Sequence, residues 1–185
     1  DVTAHVVEAL ALLGDGDTDA GRRGRRFLRR AQREDGSWFG RWGVNHVYGT
    51  GGVLPALEAT GVDMSRPYVR RAARWLAERQ NEDGGWGETC EGYADPAAVG
   101  RGPSTASQTA WGVLGMLAAG DGDGLTGEVV ERGLRYLVEM QEEDGQWEEP
   151  QFTGTGFPGD FYIKYHLYRN YFPLMALGRF TAHPA

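Results

Sequence analysis

One cysteine, Cys90, stands in a chain of 185 residues. A single thiol closes no internal disulfide, which fits a reducing compartment, and neither Cys nor His stands at metal-ligand spacing from it. The four histidines, His5, His46, His166 and His183, are scattered, so no metal site is predicted and no cofactor is called for. Lysine is as scarce: 18 of the 19 basic residues are arginine. Asp and Glu number 26, and the resulting net charge of -7 argues against nucleic acid as a partner. The one basic cluster, Arg22-Arg23-Gly24-Arg25-Arg26 with Arg29 and Arg30, reads as the solvated face of a helix. The chain has no apolar run of the roughly 18 residues that a membrane-spanning helix needs, and no signal-peptide pattern. It also lacks a convincing alternating strand, a long flexible linker and any low-complexity stretch.

Glycine, by contrast, is abundant at 29 residues, and three glycines close copies of one pattern. The copies run Arg23-Gly24, Phe27-Leu28, Gln32, Gly36-Ser37-Trp38; Arg71-Ala72, Trp75-Leu76, Gln80, Gly84-Gly85-Trp86; and Arg132-Gly133, Tyr136-Leu137, Gln141, Gly145-Gln146-Trp147. They start 48 and then 61 residues apart, with constant internal spacing. A repeat of this kind fixes an architecture rather than a single element. The aromatic, the aliphatic and the Gln fit one helix end, which the Gly stops. The Trp is expected to fold back against the Gln amide, since an indole both packs and donates a hydrogen bond. Gln32, Trp38, Gln80, Trp86, Gln141 and Trp147 are therefore predicted to be structural, tying the end of one helix to the start of the next.

Segments of a second kind, 2–13, 46–59, 104–119 and 160–180, alternate with the repeat helices at about 18–32, 67–80 and 127–141. The former are apolar and the latter crowded with Arg and Glu, each amphipathic at helical spacing. Pro67 sits near a first turn and Ser104 is a good N-cap. The chain of about one domain, 1–185, is predicted to be all-α: apolar helices inside, charged helices outside, as in an α/α toroid, with an open solenoid of helix pairs as the alternative. Six hairpins need twelve helices and the pattern supplies seven, beginning at Asp1 inside an inner helix, so about half a barrel of a longer protein is expected.

The repeats resemble the QW motifs of the class II triterpene cyclases, above all the squalene–hopene cyclases. The likeness extends over the whole chain, through the stretches 1–5, 35–45, 48–51, 83–88, 107–111 and 154–162, and the run 157–162 (Phe-Pro-Gly-Asp-Phe-Tyr) favours the bacterial branch. It implies the C-terminal part of a cyclase that protonates a terminal alkene of squalene, or of a related linear polyprenoid, and closes rings through carbocations to hopene or hopanol. It also implies the remainder of the cyclase chain as a partner, and a peripheral, monotopic position on the cytoplasmic side of a bacterial membrane, contacted through segments outside these residues. A homodimer of the isolated chain is a further expectation. The family's acid lies in an Asp-x-Asp-Asp motif that this chain lacks; Asp15-Gly-Asp17-Thr-Asp19 has a different spacing and reads as a turn. The chain alone is accordingly expected to be inactive.

On that resemblance His5 matches the histidine bonded to the catalytic acid, and Asp1 a carboxylate of the same network. Trp42 and Tyr48 match residues near the first ring formed, and Phe157, Phe161, Ile163, Tyr165 and Tyr168 match cavity positions. The chemistry agrees, because a carbocation is stabilised by aromatic faces, each worth about 0.5–2 kcal/mol. Phe161, Tyr165, Tyr168 and Phe172 share a face if 160–180 is helical throughout, and Phe172 is a core candidate. The role of the long connection 81–103, with Glu88, Glu91, Tyr93 and Asp95, stays open between cavity rim and surface insertion. Two other classes compete: a protein prenyltransferase β-subunit-like barrel, for which no convincing Asp, Cys and His zinc set is found, and a helical-repeat binding module without an aromatic cavity.

Overall fold

The structure, a computed structural model, describes residues 1–122 and 124–182, so His183 lies outside the described residues. Its helices are α1 (Val2–Leu12), α2 (Asp19–Ala31), α3 (His46–Ala59), α4 (Pro67–Glu78), α5 (Ala106–Ala119), α6 (Thr126–Glu139) and α7 (Tyr168–Ala182). The odd-numbered helices form an inner layer in which α1, α3, α5 and α7 pack in chain order, and α2, α4 and α6 lie outside them. Seven helices in two layers make the expected partial α/α toroid. The middle of the inner layer is the core: α5 is buried at every position except Leu117, and α3 is buried from His46 to Leu57 apart from Gly52. α3 and α5 meet backbone to backbone, since a Cβ on Gly51 would stand 2.4 Å from the Trp111 carbonyl oxygen. At the open ends of the row, Val2, Val6 and Leu12 of α1 and Leu174, Met175 and Phe180 of α7 are exposed.

The three repeats build the turns from outer to inner layer in one way. Gly36, Gly84 and Gly145 take φ of 100°, 88° and 82°, a region that costs an L side chain strain. The indole N–H of Trp38, Trp86 and Trp147 donates to the carbonyl of the repeat's own aliphatic residue, Leu28, Leu76 and Leu137, at 2.7, 2.8 and 2.7 Å. The expected Trp–Gln contact is thus corrected: the Gln amide turns to carbonyls instead. Gln32 donates to Gly36 and to Tyr68 at the start of α4, and Gln80 to Gly84 and to Val129 at the start of α6. The link between successive outer helices is therefore real, but glutamine makes it. Gln141 donates only to Gly145.

Two further expectations are corrected. Thr105 rather than Ser104 caps α5, accepting from the Gln108 N–H at 3.3 Å, while Ser104 donates to Asp83. The segment 160–180 is not one helix. Strands β1 (Gly154–Phe157) and β2 (Phe161–Ile163) form an antiparallel hairpin, and α7 starts only at Tyr168. Pro158 and Gly159 turn the chain, and the aromatic and β-branched residues of β2 suit a strand. The hairpin hangs on the stretch before α3, with Thr155 N–H donating to Trp42 and Val44 N–H to Thr153.

Candidate active site

The inner helices and the connection before α7 bring one continuous aromatic run together. His5 of α1 meets Tyr48 of α3 through a 2.9 Å hydrogen bond between Nε2 and the hydroxyl. Tyr48 lies edge-on to Trp111 of α5 at 4.7 Å between centroids, Trp111 meets Tyr168 of α7 at 5.9 Å, and Tyr168 stacks on Tyr165 at 4.8 Å. Beside this run is a cavity of about 260 Å³ lined by His5, Tyr48, Gly52, Pro55, Trp111 and Phe172 among others. Phe172 both packs on the core and faces the cavity. Trp111 was not among the expected site residues. The signal available was a lone aromatic in an otherwise small, apolar inner helix; its indole nitrogen is buried without a hydrogen-bond partner.

The electrostatics favour neutral groups here. Burial pushes His5 below the ordinary imidazole value, with Glu8 opposing it. Burial raises Tyr48 above the usual phenol range, aided by Tyr168, Tyr171 and Tyr165, and raises Tyr168 to about 12. The rings therefore keep their protons and present electron-rich faces rather than phenolate nucleophiles.

The remaining expected residues form separate groups. The Asp1 carboxylate accepts from the Val2 N–H, capping α1, and from the Trp42 N–H, each at 2.7 Å, so both of these bonds go to main chain, while the His5 ring goes to Tyr48. Trp42 is half-exposed beneath the Arg41 guanidinium, 5.0 Å away, and lines a second hollow of about 310 Å³ with Asp1, Phe27 and Phe39. Phe157 and Phe161 meet edge-on at 5.9 Å on the exposed hairpin, and Ile163 is half-buried in β2, its carbonyl accepting from the Thr153 N–H. The face shared by Phe161 and Tyr168 on one helix does not exist, because Phe161 is in a strand and Tyr165 in the connection to α7.

The connection 81–103 is a clamp on this end of the molecule. Glu88, 4% exposed, accepts from the N–H groups of Asn45 and Val47 at the start of α3. Glu149, 2% exposed, does the same for Ser107 at the start of α5. Both follow a repeat tryptophan by two residues, a signal present in the sequence as Trp-x-Glu. Tyr93 donates to Gly43 at 2.9 Å and stacks on Tyr162, joining the connection to the hairpin. Among the described residues no group of three or more His, Cys, Asp and Glu is placed to hold a metal.

Paired helices in two layers around an aromatic run are the architecture of type II terpene cyclases. An ent-copalyl diphosphate synthase from Streptomyces platensis superposes with a TM-score of 0.68 at 26% identity, over 95% of this chain and 32% of that one. A type II terpene cyclase from Scytonema, solved with its substrate geranylgeranyl dihydroxybenzoate, gives 0.62 at 25% identity, over 85% and 40%. The chain belongs to the squalene–hopene cyclase C-terminal domain family, which it matches over residues 1–182. It is 52% identical over 181 residues to the squalene–hopene cyclase of Alicyclobacillus acidocaldarius, covering 97% of this chain and 28% of that protein's length.

Proposed function

We propose that these residues form the C-terminal part of a cyclase that protonates a terminal alkene of squalene, or of a similar linear polyprenoid, and guides the ensuing ring closures. The observation that carries this reading is the unbroken run His5–Tyr48–Trp111–Tyr168–Tyr165 beside a cavity. Neutral aromatic faces stabilise cations without capturing them. His5, fixed by Tyr48, supports an acid supplied from outside this segment, because an acidic neighbour would restore the proton that burial disfavours. Asp1 positions Trp42 through its main chain, and Phe157, Phe161 and Ile163 belong to a wall formed by the hairpin rather than by a helix. The exposed apolar side chains of α1 and α7 support docking of the rest of the cyclase, or of a second copy when the segment is isolated. A lipid-soluble substrate supports peripheral attachment to the cytoplasmic face of a bacterial membrane; among the described residues no helix is long and apolar enough to cross one.

The test is product analysis with the complete cyclase and squalene. Tyr165→Ala and Phe161→Ala should release partly cyclised products, by weakening stabilisation of late cations. Variants that give only the wild-type product at the wild-type rate would exclude both residues from guiding the ring closures.

A further inference from the structure

Gly52 lines the cavity, and none of the described residues packs against it closely enough to require glycine. Its neighbour Gly51 is required, because a Cβ there would collide with the Trp111 carbonyl. A Cβ on Gly52 would meet only the His5 ring, with Cε1 at 3.6 Å and Nε2 at 4.0 Å, which is ordinary contact. Gly52 is also well inside α3, where its backbone is helical, so no turn requires it. Glycine in a helix interior costs about 0.5–1 kcal/mol relative to alanine. Among the described residues, that cost secures no close approach of protein to protein. What it leaves is a stretch of cavity wall without a side chain, one helical turn beyond Tyr48, where a Cβ would come into ordinary contact with the His5 imidazole and a longer side chain would extend past it. Pro55, a further turn fraction along, presents only its ring to the same cavity.

We propose that Gly52 is a specificity-determining residue: the space over its Cα receives the methyl-bearing terminus of the linear polyprenoid beside His5, and sets the size of terminus admitted. This rests on the cyclase reading above. The physical basis is steric. A side chain at position 52 would project into the volume where the chain end must sit to be protonated. In an apolar pocket one methyl or methylene alters selectivity by about 10–200-fold. A bulkier wall should therefore penalise a terminal alkene carrying an ethyl in place of one methyl more than the two-methyl terminus of squalene.

The experiment uses the complete cyclase, wild type, Gly52→Ala and Gly52→Leu, with squalene and with a squalene analogue bearing an ethyl in place of one methyl at each terminal alkene, which still protonates to a tertiary cation. The readout is the ratio of kcat/KM for squalene to that for the bulkier chain. Comparing this ratio between variants cancels the different intrinsic reactivities of the two alkenes. It should rise about tenfold in Gly52→Ala and further in Gly52→Leu. The melting temperature of Gly52→Ala should be no lower than wild type, since alanine fits and favours the helix, so a kinetic change cannot be ascribed to unfolding. If the wild type converts both chains and Gly52→Ala leaves the ratio unchanged, or slows both equally, the inference fails while the cyclase reading stands. If the wild type converts neither chain, the cyclase reading fails and this inference with it.

Discussion

The indole N–H of Trp86 donates to the main-chain carbonyl of Leu76, ten residues earlier, and the ring is completely buried. The tryptophan therefore closes its own helix end while its faces fill the space between layers, where a Cβ on Gly112 or Gly133 would strike it. Trp86→Ala should lower stability by about 3–5 kcal/mol, the range for emptying a large aromatic site. Trp86→Phe keeps much of the packing and loses the donor. Because the Leu76 carbonyl also accepts from the Arg79 N–H, the missing bond itself should cost only about 1 kcal/mol. Thermal unfolding followed by circular dichroism checks both. In the complete cyclase, product identity should be the same for either variant.

The glutamines of the second and third repeats should differ in importance. Both N–H groups of the Gln80 amide are used, one on its own turn and one on α6. Gln141 is exposed and makes the first of these bonds alone. Gln80→Leu strands two carbonyls at a layer junction and should cost about 1–3 kcal/mol. Gln141→Leu should stay within about 0.5 kcal/mol, as for other surface changes. Equal losses in a denaturant titration would mean that the bridge to the next helix contributes nothing.

The alternation of apolar and charged segments was legible because inner and outer helices face different surroundings. The repeats were legible because each position has a fixed neighbour: the small residue Gly133 lies on Trp86 and Val113, and Gly84 lies on the carbonyl of Arg132, the next repeat's basic residue. The partners of tryptophan and glutamine were not legible, since spacing says which residues are near and not which donor takes which acceptor. The hairpin 154–163 was missed because its aromatic spacing also fits a helix, and only pairing with residues 42–44, over a hundred positions away, decides for strands. His5, Tyr48, Tyr165 and Tyr168 do come together. Trp111, which joins them, ends the resembling stretch 107–111, but that likeness assigned it no role.

His46 supplies a pH test. Its Nδ1 is 2.9 Å from the Ser37 hydroxyl, which itself donates to Asp35, so the ring must donate to Ser37 through a protonated Nδ1. Burial, with Arg33 adding and Asp35 opposing, lowers its pKa to about 4. The unfolded chain then binds the proton more tightly than the folded one. Stability from this group is complete above the ordinary value near pH 6.5 and is lost as pH falls towards 4, by about 3 kcal/mol in total. His46→Gln retains a donor to Ser37 and does not titrate. The stability difference, wild type minus variant, should therefore shrink or reverse by about that amount between pH 6.5 and 4, measured by urea unfolding at each pH.

Glu149 should show the opposite slope. Its carboxylate is buried and accepts from both the N–H and the hydroxyl of Ser107 at the start of α5. Burial raises its pKa, and the bonds from Ser107 and Thr105 and the charge of Lys164 only partly offset this. The folded state thus holds the proton more tightly than the unfolded chain. The stabilising contribution is present below the ordinary carboxylate value and is lost as pH rises through the raised one. Glu149→Gln preserves an acceptor for the Ser107 N–H and a donor for its hydroxyl without a charge to bury. Its stability relative to wild type should therefore increase as pH rises from about 4.5. Glu149→Ala leaves the Ser107 N–H without its partner in the core and should destabilise by about 1–3 kcal/mol at acidic pH, a penalty that shrinks as pH rises because alanine, like glutamine, does not titrate. If Glu149→Gln were as damaging as Glu149→Ala at neutral pH, the ionised carboxylate rather than its hydrogen-bonding shape would be what holds the start of α5.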